Sequence, residues 1–199
     1  MIVGLDLDNT IVDCDTLFQH QAEDLLGCSL AGKSREDVRA LVRSERGDHF
    51  WTQIQAEVYG PLYQECPPCN GALETIAQIA ASPRVTDIMI ISHKTRTDSA
   101  GKNYKLRDYA TAWIERHLFG KTSLTKSHIH FAETIGEKLQ LVATKECDFF
   151  LDDLTDIILP LQNRIPHPVL FNRDAKNHPM KDSLRICDWP AFGAFVLNG

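Results

Sequence analysis

Long apolar runs are missing from this chain, and none approaches the ~18 residues needed for a transmembrane helix. Its start, Met1-Ile2-Val3-Gly4-Leu5-Asp6, has no basic segment leading into an apolar stretch and a small-residue cleavage site, so no secretory leader is expected. Cysteine is present but unorganised. The six positions (14, 28, 66, 69, 147 and 187) follow no framework spacing, which fits reduced thiols in a cytoplasmic protein. Cys66-Pro67-Pro68-Cys69 has no second CxxC or HxxxH pair to complete four zinc ligands, so it reads as a loop, with a metal or redox role as the alternative. Internal repeats and low-complexity tracts are also absent. Positive charge is the minority sign, with 21 Lys and Arg against 27 Asp and Glu for a net charge of -6. That balance argues against a nucleic-acid polymer or an anionic membrane as the main partner. A small anionic substrate stays open, because a bound metal can invert the local field.

What is there reads as one soluble α/β protein. The 199 residues are 43% hydrophobic and 24% charged, enough for one core domain with a modest insertion. Ile2 to Leu7 reads as the first strand, followed by three helical patterns with no convincing strand between Asp13 and Pro68. Asp15 is a plausible N-cap for the first helix, Gly27 stops it, and Ser34-x-x-Asp37 is a capping box for the second. The third carries Trp51, Ile54 and Val58 and breaks at Gly60-Pro61. Strand and helix then alternate, with strands at Asp87 to Ile91, His128 to Phe131, Asp148 to Leu151 and Val169 to Phe171. Thr134-x-x-Glu137 caps the helix before the fourth of these five strands. The polar stretches from His93 to Asn103 and from Asn172 to Lys181 read as a loop and a mobile tail. The expected architecture is Rossmann-like: a mostly parallel sheet with helices on both faces, and a small helical unit inserted after the first strand.

In such a sheet, ligands bind at the carboxyl ends of the strands. The first strand ends in Asp6 and Asp8, two carboxylates that converge if the chain stays extended and that repel unless a cation or shared proton relieves them. The strand from Asp87 ends in Ser92-His93-Lys94-Thr95, and the strand from Asp148 in Asp152-Asp153, with Asp156 one turn further. Lys138 lies near the start of the helix between them; Lys126 and Lys145 are its competitors, one before a strand and one at the far end of its helix.

Asp6-Leu7-Asp8-Asn9-Thr10, Ser92, Lys138 and Asp152-Asp153-x-x-Asp156, taken in order, resemble the four motifs of the haloacid dehalogenase superfamily, with some similarity to its deoxyribonucleotidase group. The resemblance covers residues 1–12 and about 70–172. It implies a core of residues 1–12 and 70–199 and a helical cap of residues 13–69. It further implies a magnesium-dependent phosphomonoester hydrolase that acts on a small phosphorylated metabolite and is nucleotidase-like, with sugar or other small phosphates as the alternative. Asp6 would be the nucleophile that forms an aspartyl-phosphate, and Asp8 the general acid and then base. Ser92, His93 and Lys138 would contact the phosphate, as would Thr10, which would also help fix the position of Asp8. Magnesium would take Asp6, the Asp8 carbonyl and one or both of Asp152 and Asp153.

Other readings compete. Halide needs no proton on leaving, so Asp8 disfavours a carbon–halogen hydrolase. In a phosphorelay receiver the acid cluster would not follow the lysine, so the order fails. A member that binds a phosphorylated ligand without turnover is the non-enzymatic alternative. Each residue has a structural role open to it as well: Asp-x-Asp as turn chemistry, Ser92 as a cap, and Asp153 as the N-cap of the helix holding Ile157 and Ile158. Phe50, Trp51, Tyr59 and Tyr63 are either core of the helical unit or a stacking surface for a substrate ring. The cluster His93, Lys94 and Arg96 is either a solvated loop or an extra anion contact. Oligomeric state is left unassigned.

Overall fold

The protein is described by a computed structural model, with residues 1–173 and 184–198 described. Six strands form one parallel sheet: β1 (Ile2–Leu5), β2 (Asp87–His93), β3 (Ile129–Ala132), β4 (Phe149–Asp152), β5 (His167–Phe171) and β6 (Leu184–Ile186), in the order β3-β2-β1-β4-β5-β6. Both faces of the central strands are covered, so they run almost wholly apolar rather than alternating with polar residues. On one face Val3, Leu5, Ile88, Ile90, Phe149 and Leu151 join a large core with α4 (Ala72–Ala81), α5 (Leu106–Leu118) and α8 (Trp189–Asn198). On the other, Met89, Ile91, Phe150 and Leu170 pack on α6 (Ile135–Thr144) and α7 (Thr155–Leu161). Gly4 stands in the middle because a Cβ there would lie 2.7 Å from the Phe150 ring and 2.9 Å from the Cys147 sulfur.

After β1 the chain builds β2 and β3 on one side, then crosses to start β4 on the other. The crevice over the carboxyl ends of β1 and β4 is therefore the switch point, where such sheets hold ligands. Between β1 and α4 come three helices, α1 (Asp15–Leu26), α2 (Arg35–Arg46) and α3 (Asp48–Tyr59), and a 3-10 turn over Pro61–Glu65. Their own core has Phe18 stacked on Trp51 at 5.1 Å and edge-on to Tyr59 at 5.3 Å. The outgoing and returning chains are tied by Asp13 N–H to the Pro67 carbonyl (2.8 Å) and Cys69 N–H to the Ile11 carbonyl (2.7 Å). No helix among the described residues is long and apolar enough to cross a membrane.

The local signals largely hold. Gly27 closes α1 in the left-handed region, and Ser34 and Asp37 form the reciprocal box. Thr134 accepts from Glu137 N–H at 3.1 Å. Strand boundaries move, and β5 starts two residues early, at His167. β1 ends at Leu5, because the chain turns after Asp6, with Asn9 at φ 60°. β2 runs on through Ser92 and His93, β3 starts one residue late after a 3-10 turn, and β4 includes Asp152. Two caps are corrected. Cys14, not Asp15, occupies the N-cap of α1, and Asp13 Oδ1 accepts from Asp15 N–H instead (3.1 Å). Leu154, not Asp153, precedes α7, and its N–H is taken by Asp152 Oδ1 at 2.9 Å. β6 and α8 are additions to the reading; positions 174–181 of the expected tail lie outside the described residues.

Candidate active site

A cavity of about 290 Å³ opens over the switch point. Asp6 and Asp8 come up from β1, Ser92 and Lys94 from the end of β2, Lys138 from the first turn of α6 and Asp153 from beyond β4. Thr52, Gln55 and Tyr59 of α3 form the facing wall. Lys138 reaches the site because helical side chains lean toward the helix N-terminus, which here faces the strand ends.

The floor is a buried charge cluster. Lys138 Nζ lies 2.5 Å from Asp6 Oδ1 and 2.6 Å from Asp152 Oδ2, and all three groups are almost inaccessible. Burial would lower the Lys138 pKa, but the two carboxylates override it and hold the ammonium above its ordinary value. Burial pushes the Asp6 carboxyl up to about 7; Lys138 opposes the rise, while Asp152 and Asp8 add to it. Burial, followed by the charges of Asp152 and Asp6, raises Asp153 well above the usual carboxylate range, against Arg35 and Lys138. Carboxylate oxygens of Asp6, Asp152 and Asp153 lie within 4.8 Å of one another. Two of these three acids pair with the single ammonium of Lys138, and an all-oxygen donor set of this kind suits a hard divalent cation such as magnesium.

Asp8 is set apart. Lys94 Nζ sits 3.0 and 2.9 Å from its two carboxylate oxygens, and Tyr63 donates its hydroxyl to Asp8 Oδ1 at 2.5 Å. Ser92 lines the cavity with a buried hydroxyl that has no hydrogen-bond partner. An orphaned donor of this kind costs about 1–3 kcal/mol unless a ligand takes it.

The geometry sorts the sequence-derived candidates. Asp6, Asp8, Ser92, His93, Lys138 and Asp153 line the cavity, and Asp152 lies directly beneath, paired with Lys138. Thr10 does not line it; the residue is buried and its carbonyl accepts the Trp189 indole N–H at 3.0 Å. His93 lines the rim but is exposed, its Nε2 3.0 Å from the Glu133 carbonyl. Of the competing lysines, Lys126 pairs with Glu115 on the surface (2.7 Å), and neither it nor Lys145 lines the cavity.

The basic cluster divides, with Lys94 buried inside and Arg96 exposed and paired with Glu133 at 3.2 Å. Among the aromatics, Trp51 packs in the helical core, Phe50 is half-buried outside the cavity, Tyr59 lines it and Tyr63 bonds Asp8. Cys66 and Cys69 are buried thiols, and Cys66 Sγ lies 3.5 Å from Cys14 Sγ.

Sequence reasoning passed over Arg35. Its guanidinium reaches from the first residue of α2 to the cavity wall, 3.7 Å from Asp15 Oδ1. With its amide oriented to satisfy both neighbours, Asn9 accepts from Arg35 Nη2 and donates to Asp15 Oδ1, each at 3.1 Å. Only the residue's place inside the capping box, directly after Ser34, could have pointed to it.

No family model and no curated protein sequence matches the chain. Solved structures do. A HAD family hydrolase from Deinococcus radiodurans R1, with bound phosphate and sodium, superposes at TM-score 0.65 and 14% identity, over 99% of this chain and 95% of that one. YfnB from Bacillus subtilis, bound to magnesium, gives 0.58 and 16% over 100% and 98%. A dehalogenase gives 0.56 and 10% over 100% and 97%. Identities this low carry the fold alone, and the presence of a dehalogenase among the matches leaves the reaction to be argued from the site.

Proposed function

We propose that this chain, which has the haloacid dehalogenase fold, is a magnesium-dependent phosphomonoester hydrolase working through an aspartyl-phosphate on Asp6. One observation carries the reading: an Asp6–Lys138–Asp152 cluster at the floor of a cavity that Asp8 and the unpartnered Ser92 hydroxyl also line.

Asp6 is the buried carboxylate available to attack phosphorus, and its bond with Lys138 keeps one oxygen oriented and favours the charged form it needs. Lys138 also offsets negative charge as the phosphoryl group transfers. Ser92 donates to a phosphate oxygen. Asp8 gives its proton to the leaving oxygen and then takes one from the water that opens the acyl phosphate. Asp6, the Asp8 carbonyl and Asp152 or Asp153 would hold magnesium, which supplies the positive charge that lets a carboxylate approach a phosphate dianion. Residues 13–69 act as a cap over the core of residues 1–12 and 70–199, with Thr52, Gln55 and Tyr59 shaping the space for the leaving group. At about 290 Å³ the cavity is at the small end for ligand pockets, which favours small phosphorylated metabolites. A dehalogenase would have little use for Asp8, since halide leaves without a proton.

Turnover of an aryl phosphate with magnesium and with chelator tests the class, and nucleoside monophosphates against sugar phosphates tests the substrate. Metal-dependent turnover lost in Asp6→Asn is expected. Wild-type turnover in Asp6→Asn would overturn the mechanism, and phosphate binding without turnover would make the protein a phospholigand binder.

A further inference from the structure

We propose that Lys94, together with Tyr63, is a positioning device that fixes the Asp8 carboxylate for proton transfer at the leaving oxygen. The proposal rests on the phosphatase reading above and adds residues to it. Lys94 is rigid at its backbone: its N–H donates to the Ala132 carbonyl at 3.0 Å, and its carbonyl accepts from Arg107 Nε at 2.9 Å. It follows Ser92 by two positions at the end of a strand, so both side chains leave on the same side.

The ammonium contacts both Asp8 oxygens, at 3.0 and 2.9 Å, and stands 4.2 Å from the Tyr63 ring centroid and 4.6 Å from that of Tyr59. Its side chain is 2% exposed. A lysine enclosed this way is costly unless its partner and surroundings hold it well, and two tyrosine faces and a carboxylate do so.

The effect on Asp8 is specific. A short aspartate on a turn has a broad terminal torsion and several orientations open to it. Here Oδ1 receives both the Tyr63 hydroxyl and Lys94, while Oδ2 receives Lys94 alone. The carboxylate plane is thereby locked, and Oδ2 is the oxygen with room for the travelling proton. Orientation of this kind matters, because a 1 Å misplacement can cost about a hundredfold in rate.

The two lysines then have separate tasks. Lys138 serves Asp6 and Asp152, and Lys94 serves Asp8. Tyr63 and Tyr59 belong to the inserted helical residues, so the acid is fully held only when that segment is seated on the core.

Lys94→Met and Tyr63→Phe, compared with wild type on alkyl and aryl phosphates, test the idea, with inhibition by inorganic phosphate as the control. An alkyl leaving group needs the proton and an aryl group much less. Lys94→Met should lower kcat on alkyl phosphates by about a hundredfold and on aryl phosphates by less than about fivefold, with phosphate inhibition within about threefold of wild type. Tyr63→Phe, which keeps the ring and so the fold, should show the same selectivity at about fivefold on alkyl substrates. If Lys94→Met does not fold, Tyr63→Phe alone decides.

Equal losses on both substrates, or phosphate inhibition weakened in step with turnover, would overturn the proposal and make Lys94 a direct phosphate ligand. Wild type without any turnover would overturn the phosphatase reading instead, and this proposal with it.

Discussion

Removing the Lys138 ammonium, as in Lys138→Met, is expected to destabilise the metal-free protein strongly and in a pH-dependent way. The methionine keeps most of the side-chain volume, so the loss is mainly electrostatic. At pH 8, Asp6 and Asp152, almost inaccessible and held at 2.5 and 2.6 Å from Nζ, would be left with no close cation. Deleting one partner of a buried ion pair costs about 3–5 kcal/mol. At about 2–4 °C per kcal/mol for a chain of this size, that is a fall of about 6–20 °C in Tm.

The sign with pH follows from Asp6. Its folded pKa, about 7, lies above the unfolded value of 3.8, so stability from its bound proton is complete below about 4 and is lost as pH rises toward 7. Without Lys138 to oppose the rise, that loss steepens. The gap between wild type and variant should therefore be widest near pH 8 and narrow near pH 5. Urea or thermal unfolding in chelator at both pH values measures it, and magnesium should recover part of the pH 8 deficit by replacing the missing charge. A gap below about 1 kcal/mol at pH 8, the range of an exposed pair, would refute the counter-charge role. An equal gap at the two pH values would do the same.

Three other outcomes are expected. The rise in Tm on adding magnesium to wild type should grow from pH 6 to pH 8, because Asp6, held up to about 7, carries a proton at the lower pH that the ion must displace; a pH-independent rise contradicts this. Ser92→Ala should weaken inhibition by inorganic phosphate about tenfold or more while raising the stability of the unliganded protein by up to about 1–3 kcal/mol, since the variant no longer buries an unpartnered hydroxyl. Lower stability with unchanged phosphate affinity would make the serine structural. Gly4→Ala should cost about 1–3 kcal/mol in denaturant unfolding, its methyl driven against Phe150 and Cys147; wild-type stability would mean that β1 and β4 part easily.

Which parts of this architecture the sequence discloses follows from range. Capping at Ser34–Asp37 and Thr134–Glu137 is settled within four residues, so it is legible locally. β1, β2 and β4 are recognisable as apolar runs, yet their ends drift. With both faces buried there is no alternation to mark the last paired residue, and β2 carries its pairing through Ser92 and His93. β6 has three residues, and α8, Trp189–Asn198, has an almost wholly apolar sequence with Pro190 and Gly193 inside, so it offers no amphipathic period.

At the site, Asp6, Ser92, Lys138 and Asp153 are found by asking what stands at strand and helix ends, a question topology answers. Lys94 is harder. In sequence it is one of three neighbouring basic residues, and the carboxylate that singles it out is 86 positions away. Tyr63 has the same difficulty: helical or turn spacing says buried, and only the tertiary structure brings its hydroxyl to Asp8. Thr10 errs the other way, because its short distance from Asp8 along the chain does not turn it into the cavity.

The central claim is that Asp6 becomes phosphorylated during turnover. Quenching the wild-type protein with borohydride while it hydrolyses a phosphate ester, then mapping peptides by mass spectrometry, tests this directly, because an acyl phosphate is reduced and a free carboxylate is not. Homoserine at position 6, absent without substrate and absent in Asp8→Asn with an unreactive alkyl ester, is the predicted result. Reduction at another carboxylate, or rapid turnover with Asp6 untouched and Asp6→Asn fully active, would contradict it.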